Sequence, residues 1–265
     1  MMATSLSSSE IVGLAERVDR AQQASQPITK LTDEFPAMNI ADGYAVQLEL
    51  RRRKLARGER SVGWKAGVTS RAKMVQVGVH APTVGFLTNT MARPESSAVR
   101  TDDLVHPRVE CEIAFVTRQA LRGAHCTREQ VLAATDFVLP ALEVIDSRYA
   151  GFKFDMPSVI ADNCSAARYV TGGWPRSPLD VDLHALGVVF EKNGEAEGLA
   201  ASAAVLGHPA DAVAMLVAVL TELGEELPAG SVVLSGGITE AVVVQAGDHV
   251  SARFQHLGSV SAKFV

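Results

Sequence analysis

Aromatic residues are scarce in this 265-residue chain, at 5%. A stacking platform for single-stranded nucleic acid needs more of them. Charge of one sign is also in short supply: 25 Lys and Arg stand against 30 Asp and Glu, a net charge of −5. That balance argues against a general binder of phosphate backbones, yet leaves room for a local positive site that takes a small anion. Three cysteines, Cys111, Cys126 and Cys164, lie far apart and form no C-x-x-C pair. An odd count without zinc spacing points to free thiols in a reducing compartment. The stretch from Met1 to Glu10 is polar and Ser-rich, unlike a secretory signal. Apolar runs break off before the roughly 18 residues that a membrane span requires. The expectation is a soluble cytoplasmic protein with neither nucleic acid nor membrane as partner. There is no G-x-x-x-x-G-K-[ST] phosphate loop, no G-x-G-x-x-G and no G-x-S-x-G, which leaves ATP-binding, dinucleotide-binding and serine-hydrolase readings without support.

What is present is a chain with 47% hydrophobic residues, enough to bury a sizeable core. Ser7 and Glu10 form a capping box, followed by Ile11, Leu14, Ala15 and Val18 at helical spacing, and this predicts a helix to about Gln23. Asn39 caps a second helix with Ile40, Tyr44, Leu48 and Leu55 on one stripe and Gly58 at its end. The basic run Arg51, Arg52, Arg53, Lys54 and Arg57 suits the C-terminal end of the helix dipole and reads as a solvated face. From Ser61 short β-rich runs take over: 61–65, 109–117, 137–145, 167–171, 186–191, 231–234, 249–254 and 259–265. Helices at about 128–135 and from Pro209 to Gly224 interrupt them. The pattern predicts one α+β domain over 1–265, with an N-terminal helical segment (1–60) and a β-rich catalytic core (61–265).

The strand Val109–Val116 carries Glu110 and Glu112. At i and i+2 both side chains leave the same face, with Cα atoms roughly 6.5–7 Å apart. Two carboxylates so placed repel each other unless a cation neutralises them, and oxygen ligands select Mg²⁺ or Mn²⁺. On pattern alone, E-x-E equally describes a solvent-washed strand face. Glu143 lies in the apolar run Leu139–Ile145, where a lone carboxylate is costly without a partner. Asp146 could pair with Arg148. The seven histidines are scattered without ligand spacing, and Lys65 sits between Gly63 and Gly67 at a strand end.

Several segments occur together in one order: Gly63-Trp64-Lys65-Ala66-Gly67-Val68-Thr69-Ser70, Glu110-Cys111-Glu112, Ala141 to Arg148, Ala161-Asp162-Asn163-Cys164-Ser165, Leu206-Gly207-His208-Pro209, Gly236-Gly237-Ile238-Thr239 and Leu257 to Phe264. With them the chain resembles the 2-oxopent-4-enoate hydratase and 4-oxalocrotonate decarboxylase family of the fumarylacetoacetate hydrolase superfamily. The resemblance implies that superfamily's mixed β-roll core. The stretch Asp146–Asp155 is similar to the decarboxylase branch, and Pro82-Thr83-Val84-Gly85 stands where hydratases usually carry Pro-Asp-Phe-Gly. Departures from the decarboxylases are His80, Ala200, Ser202, Cys111 and Cys164. The implied activity is Mg²⁺-dependent decarboxylation of 2-oxohex-3-enedioate in aromatic meta-cleavage catabolism, with Mn²⁺ as the alternative metal. Hydration of 2-hydroxypenta-2,4-dienoate is the alternative reaction, and a weakly active partner of a hydratase is a third reading. By the same resemblance Glu110, Glu112 and Glu143 are metal ligands, Lys65 is the catalytic cation, and Arg148, Lys153, Ser165 and Thr239 contact substrate. A homo-oligomer and a complex with a 2-oxopent-4-enoate hydratase are the implied assemblies.

Overall fold

The computed structural model describes residues 4–70, 82–95 and 97–265; His80 lies outside them. The chain opens with α1 (Ser8–Ala24), a short α2 (Leu31–Glu34) and α3 (Ile40–Ala56). Both long helices start where expected: Ser7 and Glu10 form the predicted capping box, and the predicted cap Asn39 forms a further box with Asp42. Asp42 does more than cap. Its carboxylate also accepts hydrogen bonds from the Ser5 amide and hydroxyl (2.8 and 2.7 Å) and from the Leu6 amide (3.0 Å), tying the N-terminal segment to α3.

The buried face of α3 differs from the expected stripe. Leu55 is 37% exposed, whereas Tyr44, Val46, Gln47, Leu50 and Lys54 are buried. Gln47 is held inside because its Nε2 donates to the Val84 and Ile160 carbonyls (2.8 and 2.9 Å), which offsets part of the cost of burying the amide. Gly43 lets α3 approach a later helix; a Cβ there would lie 2.7 Å from the Pro157 carbonyl oxygen. The basic run is tied down by carboxylates: Arg57 lies 2.5 Å from Asp19, Arg53 3.5 Å from Asp19, and Arg51 2.9 Å from Glu225.

The β-rich part holds β1 (Ser61–Gly67), β2 (Thr83–Thr88), β3 (Ala92–Arg93), β4 (Ala98–Val99) and β5 (Pro107–Thr117). α4 (Arg128–Ala134), β6 (Thr135–Asp146), α5 (Met156–Ala161) and β7 (Ala166–Thr171) follow. The chain then runs through β8 (Gly187–Lys192), β9 (Glu195–Ala201), α6 (Pro209–Glu222), β10 (Val232–Leu234), β11 (Val242–Val243), β12 (His249–Phe254) and β13 (Gly258–Phe264). Among the described residues two sheets form. The larger runs β2-β1-β10-β5-β6-β7-β3 with β11 beside β5; the smaller runs β4-β13-β12-β8-β9. Parallel β1–β10 and β3–β7 pairs make the larger sheet mixed. β12 and β13 pack on β6 to join the sheets.

Eight expected strands are present with ends shifted by a residue or two. β2 escapes the sequence pattern because every one of its residues is buried, so no alternation marks it. The segment Ser202–Glu222 corrects the reading of apolar runs, since it has the length and mean hydropathy (1.8) of a membrane span. Its apolar residues have another destination: Ala212, Val213, Leu216, Val217 and Leu220 are fully buried in the protein core.

Candidate active site

β5 and β6 form a long antiparallel pair in which Glu110 stands opposite Glu143 and Glu112 opposite Ala141. Directly paired residues share a face, as do residues two apart, so the three glutamates converge. One oxygen from each lies within 4.8 Å of the others. Glu112 and Glu143 are buried and Glu110 is half-buried. This decides between the two readings of E-x-E: the face is not washed by solvent.

Lys65 reaches the same place from β1. Its partner Leu234 on β10 is paired in turn with Ala114 on β5, two residues beyond Glu112 on the same face. The buried Nζ lies 2.9 Å from Glu143 Oε2 and donates to the Cys164 carbonyl at 3.4 Å. Burial opposes the charge on Lys65, but the field of Glu143, Glu112 and Glu110 outweighs it and holds its pKa above the ordinary lysine value. Burial pushes the Glu112 and Glu143 carboxyls upward. The Glu143 charge adds to the effect on Glu112, while Lys65 opposes it for both.

A backbone arch from the end of β10 closes over β5. The Ser235 amide donates to the Ile113 carbonyl, and the Ile238 amide to that of Cys111. Between them the Gly236 amide donates to Glu112 Oε2 at 2.7 Å. Gly236 has φ +101, and a Cβ there would meet Thr69 Oγ1 at 2.1 Å, so glycine is required.

Three carboxylates face one lysine, and Glu112 Oε1 and Glu143 Oε1 are buried with no hydrogen-bond donor. Each uncompensated buried charge costs several kcal/mol. A hard divalent cation supplies both the missing charge and the missing partner for those oxygens. The residues present therefore fit Mg²⁺.

The opposite wall comes from the turn that carries Ser165, whose backbone shape the sequence reading did not foresee. Asn163, Cys164 and Ser165 have φ of 51°, 51° and 61°, at a cost of about 1–2 kcal/mol each. The Asn163 side chain pins the turn to β2: Oδ1 accepts from the Phe86 amide (2.8 Å) and Nδ2 donates to the Phe86 carbonyl (2.9 Å). The signal was the Asp162-Asn163 pair, since Asn tolerates the left-handed region. The turn directs the Cys164 carbonyl at Lys65 and buries the Ser165 hydroxyl without a hydrogen-bond partner.

Arg148 is placed differently from expectation. Its Nε pairs with Asp162, and its Nη2 donates to the Asp162 carbonyl at 2.5 Å. It supports the turn, and no member of the acidic cluster is among its partners. Burial pushes Asp162 up to about 6 against the pull of Arg148. Asp146 does not pair with Arg148; it accepts the Val105 and His106 amides (2.9 and 2.5 Å). Lys153 is exposed between β6 and α5. Thr239 lies beyond the arch with its hydroxyl buried and its methyl against Gly198. Thr83 is buried on β2, where its hydroxyl faces Gly67 beside Cys164.

The two-sheet fold and the acidic cluster coincide with what comparison with known proteins finds. Residues 68–265 match the family described as fumarylacetoacetate (FAA) hydrolase C-terminal, and the chain belongs to the fumarylacetoacetate hydrolase family. It is 52% identical over 264 residues to 4-oxalocrotonate decarboxylase of Pseudomonas sp. strain CF600, covering 100% of both chains. It is 38% identical to 2-hydroxyhexa-2,4-dienoate hydratase of Comamonas testosteroni, covering 94% of this chain and 95% of that one. Its structure superposes on 4-oxalocrotonate decarboxylase from Pseudomonas putida G7, complexed with magnesium and adipate. The TM-score is 0.97 at 50% identity, over 99% of this chain and 100% of that one.

Proposed function

We propose that this chain is a Mg²⁺-dependent carboxy-lyase that converts 2-oxohex-3-enedioate (4-oxalocrotonate) to 2-hydroxypenta-2,4-dienoate and CO₂, a step of meta-cleavage aromatic catabolism. The observation that carries the reading is the buried convergence of Glu110, Glu112 and Glu143 beside Lys65. The full-length similarity to decarboxylases supports the substrate class. So does the adipate in the related structure, a six-carbon chain with two terminal carboxylates like the substrate.

In this reading Glu110, Glu112 and Glu143 hold Mg²⁺, with Mn²⁺ as the alternative. When bound, the ion supplies Lewis-acid stabilisation of the charge that develops on the substrate 2-oxo oxygen. The C5–C6 bond breaks, CO₂ leaves, and the electron pair moves through C4 and C3 to the C2 oxygen, which takes up a proton. Lys65, kept protonated by its acidic neighbours, binds substrate charge and is placed to deliver that proton. Ser165 donates its hydroxyl to the substrate. Arg148 acts through Asp162 on the turn that carries Ser165, and Lys153 and Thr239 are outer contacts. Thr83 cannot perform the acid's part in hydration, which favours the decarboxylase over the hydratase alternative.

Exposed Trp174, Leu179 and Leu199 support a homo-oligomer and docking to a 2-oxopent-4-enoate hydratase, which would take up the unstable dienol. Unpaired thiols at all three cysteines are consistent with the cytoplasm. The test is CO₂ release from 2-oxohex-3-enedioate with Mg²⁺ and then with EDTA, and the same protein offered 2-hydroxypenta-2,4-dienoate. Metal-dependent CO₂ release with the dienol left intact is expected. Dienol loss without CO₂ release would make the protein a hydratase.

A further inference from the structure

A cavity of about 420 Å³ lies where the ends of α1 and α3 meet β3 and β7. Lys54, Arg57, Arg93 and Arg168 bring four cations to its wall, against Glu59 and Asp103. Two of the cations already have carboxylates: Lys54 lies 3.8 Å from Glu59, and Arg57 lies 2.5 Å from Asp19. Asp103 lies 3.8 Å from Arg100. Arg93 and Arg168 have no carboxylate within 4.0 Å among the described residues. Among the described residues Arg93 donates to the Thr90 and Ala92 carbonyls (2.7 and 2.9 Å), and Arg168 to that of Ala167 (2.9 Å). Most of their five N–H donors apiece are thus left unengaged by those residues.

Strand register sets this cavity apart from the acidic cluster. On β6, Glu143 pairs with Tyr169 and Val144 with Arg168, so Arg168 and Glu143 leave opposite faces of the sheet. Arg93 on β3 pairs with Val170, two residues beyond Arg168 and on the same face. Two half-buried guanidiniums therefore stand side by side on neighbouring strands. Burial, with the adjacent Arg93 charge, holds the Arg168 pKa below the ordinary arginine value. Asp103 and Asp146 oppose that shift from a distance, but half-buried like charges with no directly paired carboxylate are unfavourable, and the planar guanidinium fork matches a carboxylate or phosphate group in two-point hydrogen bonding.

We propose that this cavity binds a small oxyanion, a carboxylate or a phosphate group, held between Arg93 and Arg168. The test is thermal unfolding of the full-length protein in EDTA, with sodium phosphate or sodium succinate titrated against sodium chloride of equal ionic strength. Stabilisation that saturates is expected for at least one of the two anions, with a midpoint rise of about 3 °C at ten times the dissociation constant. Which anion acts distinguishes a phosphate source from a carboxylate source. The rise is expected to vanish in Arg93→Gln and in Arg168→Gln. The anion-free midpoint should not fall in Arg168→Gln, because a repulsion is removed. Should Arg168→Gln fail to fold, Arg93→Gln on the edge strand reads the site by itself. No rise with either anion up to about 20 times a millimolar dissociation constant would overturn the proposal. So would a rise that persists in Arg93→Gln, which would assign the anion to another place such as Lys65.

Discussion

Glu143 shows how one side chain gathers its meaning from its neighbours. In the sequence it is an acid in an apolar run; in the fold it stands opposite Glu110 and 2.9 Å from Lys65. Replacing it with Gln keeps the shape and removes a charge that only a cation offsets. Glu143→Gln is expected to lower metal-dependent turnover at least about 100-fold, by analogy with losses at ligand-supporting positions, while the metal-free protein stays folded. Circular dichroism and steady-state rates with Mg²⁺ check this, and full activity would sink the ligand assignment. Lys65→Met is expected to cost about 10²–10⁴ in kcat. It also leaves Glu143 without its cation, so the pH profile of the residual rate should change shape as well as height. Strand alternation made the shared face of Glu110 and Glu112 legible, and a buried acid demanded a partner for Glu143; that the three converge beside Lys65 was legible only through the family resemblance. The Asp146–Arg148 pairing that sequence proximity offered does not form: β6 carries Asp146 to the amides of Val105 and His106, and Asp162 at the end of α5 takes Arg148 instead.

Elements were readable where local chemistry marks their ends. The capping boxes at Ser7 and Asn39 and Pro209 at a helix start set three helices almost to the residue. β2 and β9 were missed on physical grounds. β2 is buried throughout and shows no alternation, while β9 is an edge strand made, apart from Leu199, of Glu, Ala and Gly with weak β-propensity. Likewise the Asn163–Ser165 turn depends on a bond to Phe86, far off in sequence. At this scale Asp42 is the informative residue. Burial opposes its charge, but donors from Leu6, Asn39 and Ser5 outweigh burial and lower its pKa below the ordinary 3.8. A depressed carboxyl contributes stability that is present above the unfolded pKa and is lost as pH falls through the folded one. Asp42→Asn is expected to cost about 1–2 kcal/mol near neutral pH and to shrink the acid-induced loss below about pH 4. Urea melts of both proteins at pH 7 and pH 3 measure the difference.

The whole molecule carries a buried charge imbalance that its stability should report. In metal-free protein the raised Glu112 and Glu143 carboxyls bind protons more tightly than in the unfolded chain. Their contribution is therefore complete below the ordinary 4.5 and is lost as pH rises through their folded pKa values. Mg²⁺ removes that loss by holding the carboxylates ionised, so the gain in unfolding midpoint from Mg²⁺ over EDTA is expected to grow from pH 5 to pH 8. Calorimetry at both pH values checks it, and an equal gain at each would contradict a carboxylate site. The thiols of the molecule have a practical side. Cys111 and Cys164 are buried, and burial pushes them up to about 12 and about 11, beyond the reach of maleimide at neutral pH. Cys126, just ahead of α4, is partly exposed. The unaltered sequence thus offers one attachment point for a fluorophore or spin label, and assembly with a second protein can be followed in solution without engineering a cysteine.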